Sequence, residues 1–275
     1  MISPPSFAPP LLPGDSLREK LPRVLITNDD GIEAPGLSML EEIAHAFADD
    51  VWVVAPDHDQ SGASQAITTT RPLFLLNKGG PRRWAVTGTP GDCVALAINH
   101  VMKDLPPTLI LSGINDGANM GDDYTPSGTV GAVLVSLMLG VPGIALSQRY
   151  AKRNPAFLKT AQAWTHCALH HLIRQAWPKD TCLSVNFPDC SPEAIKGFRW
   201  SRHQERGNIS GVVVEENKNP RGQSYYWLMV GHRCPPPPPG SEREALAAGY
   251  ISLTALGLDR HVDVPYPDFV PTLTP

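Results

Sequence analysis

Four apolar runs constrain this chain more than anything else in it: Val24–Thr27 (VLIT), Val51–Ala55 (VWVVA), Thr108–Ser112 (TLILS) and Gly143–Ser147 (GIALS). None alternates apolar with polar residues, so each reads as a strand buried on both faces. Helical patterns lie between them. Pro35 suits a first helical turn, and Leu37, Leu40, Ala44 and Phe47 follow at helical spacing. Thr89-Pro90-Gly91-Asp92 reads as a capping box that opens a helix through Val94, Ile98 and Val101. Ser127 caps a further helix that stops at Gly140, and Pro155–Ala176 reads as a long one. Trp84–Val86 is a short strand. Ala66–Leu76 reads as an extended edge or excursion around Pro72. Buried strands alternating with helices predict an α/β fold, a mostly parallel sheet with helices on both faces.

In such sheets, ligands bind at the carboxyl ends of the strands. The polar clusters of this chain fall there: Asn28–Gly31, Asp57–Gly62, Thr87–Asp92 and Ser112–Thr129. The first places Asp29 beside Asp30 with no Lys or Arg adjacent, and like charges this close repel unless something positive lies between them. A hard divalent cation would resolve the repulsion. Alternatively, one carboxylate caps the next helix and the other is solvated. The second cluster offers hydroxyl oxygens at Ser61 and Ser64 and a close backbone approach at Gly62, or is an ordinary polar loop with His58 and Asp59 at the surface. The third stretch, Ser112–Ala132, holds five glycines and two asparagines. Ser127, Gly128 and Thr129 would present N–H groups and hydroxyls at a helix start, which suits an anion and phosphate best. Asn115 supplies a neutral oxygen for a metal. The same stretch also reads as a long capped turn with glycines for close packing. A metal beside an anion-binding helix start reads as phosphate-ester hydrolysis. Neither a Gly-Lys-Ser/Thr phosphate loop nor a Gly-x-Gly-x-x-Gly after the first strand occurs, which argues against a dinucleotide binder.

The totals exclude other classes. A net charge of -4 gives no nucleic-acid groove or anionic-membrane surface, and Arg82-Arg83 and Arg199–Arg206 read as solvated patches. The five widely spaced cysteines, without a Cys-x-x-Cys, read as free thiols of a reducing cytosol. The N-terminus has neither a basic start nor an uninterrupted apolar core, so it reads as no signal peptide. Ala132–Leu146 is too broken by Ser136, Gly140, Pro142 and Gly143 to span a bilayer. A cytoplasmic protein with no membrane and no nucleic-acid polymer as partner is expected.

The 275 residues, 42% hydrophobic, suffice for one large core or two small ones. Residues 1–22 form a Pro-rich extension. Residues 23–275 read as one domain, with a core over about 23–190, a β-rich extension and projecting arm over about 191–258, and a tail over 259–275. Cys182–Val185, Gly197–Trp200, Val212–Glu215, Tyr225–Val230 and Ile251–Ala255 are the later strands, with a short helical piece at Glu242–Ala248. The proline run within Cys234–Gly240 favours polyproline II and cannot enter a sheet interior.

Five stretches in order, ITNDDGIEAPG, VVAPDHDQSGASQAIT, VTGTPGDCVALAI, LSGINDGANMGDD and SGTVGAVL, resemble the SurE family of survival proteins, metal-dependent 5'/3'-nucleotidases. SVNFP (Ser184–Pro188) and GYISLTAL (Gly249–Leu256) continue the likeness, which covers about Arg23 to Leu258. The resemblance implies a Rossmann-like core with a β-hairpin extension and a C-terminal segment exchanged between subunits, hence a homodimer or homotetramer through the arm. It implies one divalent cation, Mg²⁺ or Mn²⁺, on Asp29, Asp30, Ser61 and Asn115. It marks Asp29, Asn119 and Ser127 for catalysis, with Gly62, Ser127, Gly128 and Thr129 at the phosphate. The implied substrates are nucleoside monophosphates, and for some members short polyphosphate. Three departures stand out. Pro126 precedes Ser127 where an aromatic residue is common, Gly91 replaces a bulkier residue, and Ser241–Glu244 (SERE) replaces a Thr-Asp-containing stretch. A receiver-like signalling module would need a Lys after the last strand, where GIALSQRY has none. An aspartyl-phosphate phosphatase would need its two Asp spaced two apart rather than adjacent.

Overall fold

The computed structural model describes residues 6–12, 20–150, 158–202, 209–233 and 236–259. Its centre is a nine-stranded sheet. In chain order the strands are β2 (Val24–Thr27), β3 (Val51–Pro56), β4 (Leu75–Asn77), β5 (Arg83–Val86), β6 (Leu109–Asp116), β7 (Gly143–Gln148), β9 (Thr181–Phe187), β10 (Phe198–Trp200) and β13 (Ile251–Gly257). Two-residue strands β1 (Phe7–Ala8) and β8 (Trp177–Pro178) pair separately. The sheet order is β10-β13-β9-β7-β6-β2-β3-β5-β4, parallel except at β4–β5 and β13–β9. From β2 the chain winds outward through β3 and β5 in one direction, and from β6 through β7 and β9 in the other. The β2–β6 boundary is therefore a topological switch point, where a crevice opens beyond the strand ends.

Helices cover both faces, as the apolar runs require. One core layer packs Leu37, Leu40 and Ala44 of α1 (Pro35–Ala44) and Ala161, Leu169 and Leu172 of α4 (Lys159–Leu172) against Val24, Ile26, Leu109 and Leu111. The other packs Cys93 and Val94 of α2 (Pro90–Leu96) and Ala132 and Val135 of α3 (Gly128–Met138) against Leu25, Val54 and Ile110. Successive strand residues thus feed opposite layers. The capping box forms: Asp92 N–H donates to Thr89 Oγ1 at 3.1 Å, and Thr89 N–H to Asp92 Oδ2 at 3.0 Å. A π-helical turn, Ala97–Val101, ends that helix. Residues 155–157 of the expected long helix lie outside the described residues.

Two expectations change. Of Ala66–Leu76, expected to be extended throughout, only Leu75 and Leu76 enter a strand. The rest is held by side chains in place of a ladder: Thr68 N–H donates to Asp92 Oδ1 at 2.7 Å, and Thr89 Oγ1 to the Ala66 carbonyl at 2.6 Å. Gly91 permits this, since a Cβ there would lie 2.8 Å from the Ala66 carbonyl oxygen. Second, β10 and β13 complete the main sheet, so the sheet runs on past residue 190. What stands apart is a two-stranded hairpin, β11 (Ile209–Lys218) with β12 (Ser224–His232). A last helix, α5 (Glu242–Ala247), leads into β13. Among the described residues no helix is long and apolar enough to cross a membrane.

Candidate functional site

A cleft of about 220 Å³ opens at the switch point. Its walls include Asp29 after β2, Ser61 and Gly62 after β3, Asn115 at the end of β6, Asn119 beyond it, and Ser127 at the start of α3. Local bonds draw these loops together. Gln60 N–H donates to the Asp29 carbonyl at 2.8 Å, and Ser64 N–H to the Pro126 carbonyl at 3.0 Å. The β6–β7 register shifts between Ser112 and Asn115, an irregularity that re-aims Asn115. Gly113 allows it: its φ is +143°, and a Cβ would sit 2.4 Å from the Leu146 carbonyl oxygen.

Asp29 is 4% exposed. Thr129 Oγ1 donates to its Oδ1 at 2.6 Å, and burial nonetheless pushes its pKa up. Asp30 accepts from Asp116 N–H at 3.3 Å, and burial, then Asp29, push its pKa up to about 7. Asp30 lines a neighbouring cavity with Asp59 and Asp116 instead of the cleft itself. The two carboxylates therefore open on two adjacent cavities. Neither makes an ion pair among the described residues. Among the described residues the cleft wall carries Asp29, Asp116 and Asp123 and no Lys or Arg.

The expected anion-binding residues divide. Ser127 accepts from Val130 N–H at 3.1 Å through Oγ, a helix cap that leaves its hydroxyl proton available. Gly128 and Thr129 are absent from the cleft lining and hold Asp29 instead. A Cβ on Gly128 would lie 2.7 Å from the Asp29 Cβ, and Thr129 is fully buried with its hydroxyl on Asp29. Asn115 donates Nδ2 to the Gly117 carbonyl at 2.8 Å, leaving Oδ1 as its free acceptor. Ser61 N–H donates to Asp59 Oδ1 at 2.7 Å, and its hydroxyl is uncommitted. Asn119 is the most tightly held. Its N–H donates to Asn186 Oδ1 at 2.9 Å, its carbonyl accepts from Asn186 Nδ2 at 2.8 Å, and its Nδ2 donates to Ser147 Oγ at 2.9 Å.

Sequence reasoning missed Asn186, Asp123 and His232. Asn186 left one signal, a polar residue next to last in the buried strand β9. His232 ends β12, and its Nε2 lies 3.0 Å from Asp123 Oδ1, closing the cleft from the hairpin side. Burial raises the Asp123 pKa, and His232 opposes the shift.

A mostly parallel sheet with a crevice at its switch point, walled by acidic residues, neutral oxygens and a capped helix start, defines a Rossmann-like α/β protein. The family model for Survival protein SurE matches residues 24–209. The 5'-nucleotidase SurE 1 of Burkholderia lata is 44% identical over 241 residues, 88% of this chain and 92% of its own. The 5'-nucleotidase SurE of Hyphomonas neptunium is 41% identical over 253 residues, covering 91% and 97%. The crystal structure of the SurE protein from Aquifex aeolicus superposes with a TM-score of 0.73 at 34% identity, covering 87% of this chain and 95% of that one. The chain belongs to the SurE family.

Proposed function

We propose that this protein is a metal-dependent 5'-nucleotidase that hydrolyses nucleoside monophosphates to nucleoside and phosphate. The observation that carries the reading is the adjacent pair of buried Asp29 and half-buried Asp30, with no ion pair among the described residues, beside a cleft lined by no described Lys or Arg. An anionic substrate could not enter such a cleft unless a cation neutralised it. The donor set fits one divalent cation, Mg²⁺ or Mn²⁺: Asp29, Asp30, the free Asn115 Oδ1 and the Ser61 hydroxyl are all hard oxygens. When bound, the cation would neutralise phosphoryl charge and acidify water.

The chain's own groups supply the rest. Asp29 orients the attacking water, while Thr129 and Gly128 fix Asp29. The Ser127 hydroxyl and the partial positive charge of the α3 N-terminus face the phosphoryl oxygens, with the Gly62 backbone opposite. Asn119, fixed by Asn186 and Ser147, orients the substrate. The four described cysteines are free, which suits work in the cytoplasm. The hairpin supports a homodimer or homotetramer.

Phosphate release from 5'- and 3'-nucleoside monophosphates and short polyphosphate, with Mg²⁺, with Mn²⁺ and with chelator, tests this. Release from 5'-monophosphates should require the metal and vary with the base. Asp29→Asn should lower turnover at least roughly 100-fold, beyond the usual effect of losing a metal's outer-shell partner. Its circular dichroism should match the unaltered chain. Full activity in Asp29→Asn would remove the acid pair from the reaction.

A further inference from the structure

The helix α4 contributes nothing to the cleft lining, yet it carries metal-ligating side chains on its outer surface. Thr165, Ala168, Leu169 and Leu172 turn to the core, which leaves His166, Cys167, His170 and His171 exposed. His166 and His170 are four residues apart, a spacing that stacks side chains one above the other on a helix. Their rings face each other, with centroids 6.2 Å apart and planes 28° from parallel. No hydrogen bond or ion pair reaches either ring among the described residues. His171 is committed elsewhere: its Nε2 lies 2.8 Å from Gln175 Nε2, and its ring stacks on Phe198 at 6.0 Å.

Packing does not account for the pair, since both rings are exposed. The helix dipole does not either. A histidine in the last turn helps only as a cation, whereas desolvation, then Arg174, His166 and His171, hold the His170 pKa below its ordinary value. A neutral imidazole is what a metal requires. The zinc-binding His-Glu-x-x-His helix uses the same four-residue spacing. Imidazole suits Zn²⁺, Ni²⁺ and Cu²⁺, whereas oxygen donors like those of the cleft suit Mg²⁺ and Mn²⁺. We propose that His166 and His170 form a two-point site for a divalent transition-metal ion, separate from the cleft and selective against Mg²⁺. No third His, Cys, Asp or Glu completes the site among the described residues, so water fills the remaining positions. Such a site exchanges its metal and stays open to a further ligand, unlike a closed structural zinc site. It does not depend on the nucleotidase reading of the cleft.

The test is equilibrium titration of the untagged full chain with Ni²⁺ in excess Mg²⁺. It compares the unaltered chain with His166→Ala, His170→Ala, the double variant and Cys167→Ser. Cys167 is included because it is an exposed free thiol beside His166 and the nearest competing ligand. The unaltered chain should bind a Ni²⁺ ion that Mg²⁺ does not displace. Each single histidine variant should bind it at least roughly 10-fold more weakly, the low end for losing even an outer-shell partner of a metal. The double variant should be no weaker than either single one, because a chelate is lost when either arm is removed. Circular dichroism should be unchanged throughout, since both side chains face solvent. Cu²⁺ should bind more tightly than Ni²⁺ or Zn²⁺. An affinity unchanged in either histidine variant, or binding that disappears in Cys167→Ser, overturns the proposal. A second readout is thermal: Ni²⁺ tied across one turn of α4 favours the folded helix, so it should raise the melting temperature of the unaltered chain more than that of His170→Ala. Equal rises in the two would assign the ion to other groups and overturn the site as well.

Discussion

Asp30 holds its proton to about pH 7 because burial, and then Asp29, penalise its charged form. Asp29 shifts in the same direction, again through burial first. A carboxyl whose pKa is higher in the folded chain binds its proton more tightly there than when unfolded. Its contribution to stability is fully present below the unfolded value near 3.8 and is lost as pH rises through about 7. With a chelator present, the melting temperature should therefore fall between about pH 5 and about pH 8. A divalent cation must displace those protons, so the stabilisation it confers should grow over the same window. Thermal melts in chelator and in excess Mn²⁺ check this; curves that stay parallel across the window would mean that the cation binds elsewhere. The acid pair was legible because it is a local pattern, two acids after an apolar run. Its division between two cavities was not, because it depends on where β6 presents the Asp116 N–H to Asp30. The support of Asn119 was equally hidden, since Asn186 lies 67 residues away along the chain.

At the scale of elements, α5 and the turn Gly121–Tyr124 meet through a single buried carboxylate. Glu242 is 1% exposed and accepts from Gly121 N–H at 3.0 Å, from Thr254 Oγ1 at 2.9 Å and from the Tyr124 hydroxyl. Glu242→Ala would remove the acceptor that these three donors share in the interior and should destabilise the fold by about 3 kcal/mol. Glu242→Gln keeps an acceptor oxygen and should lose less. Urea unfolding of both variants checks the order; equal loss in both would show that volume and not hydrogen bonding sets the cost. The strands β2, β3, β6 and β7 were legible because burial on both faces leaves an unmistakable apolar run. The capping residues Thr89 and Ser127 marked their helices for an equally local reason. Residues 66–74 were not legible, because Ala66 and Thr68 bond to side chains of the α2 capping box and Phe74 to the Thr87 side chain, a choice that β-branched composition does not reveal.

The hairpin β11–β12 raises the question of the whole molecule. It pairs with no other described strand, and both its faces are apolar: Val212, Val213 and Val214 on one strand, Tyr226, Trp227 and Leu228 on the other, with Leu228 69% exposed. An antiparallel ribbon facing water should alternate apolar with polar residues, and a lone two-stranded ribbon is marginal in water. An exposed patch of this kind marks an interface, and a second copy of the chain is the partner that its own sequence can supply. The unaltered chain should therefore run as a dimer or larger in light scattering coupled to size exclusion, and Trp227→Asp with Leu228→Asp should shift it toward monomer. The consequence reaches the cleft, because Val230 and His232 of the same strand line it. Loss of the partner frees the ribbon and loosens that wall, so the monomeric variant should show a KM for nucleotide raised several-fold with kcat changed less, since the hairpin contributes to holding substrate and not to Asp29. A monomeric variant with unaltered KM would show that the cleft wall stands without the partner. An unaltered chain that runs as a monomer would leave the apolar ribbon to a different protein.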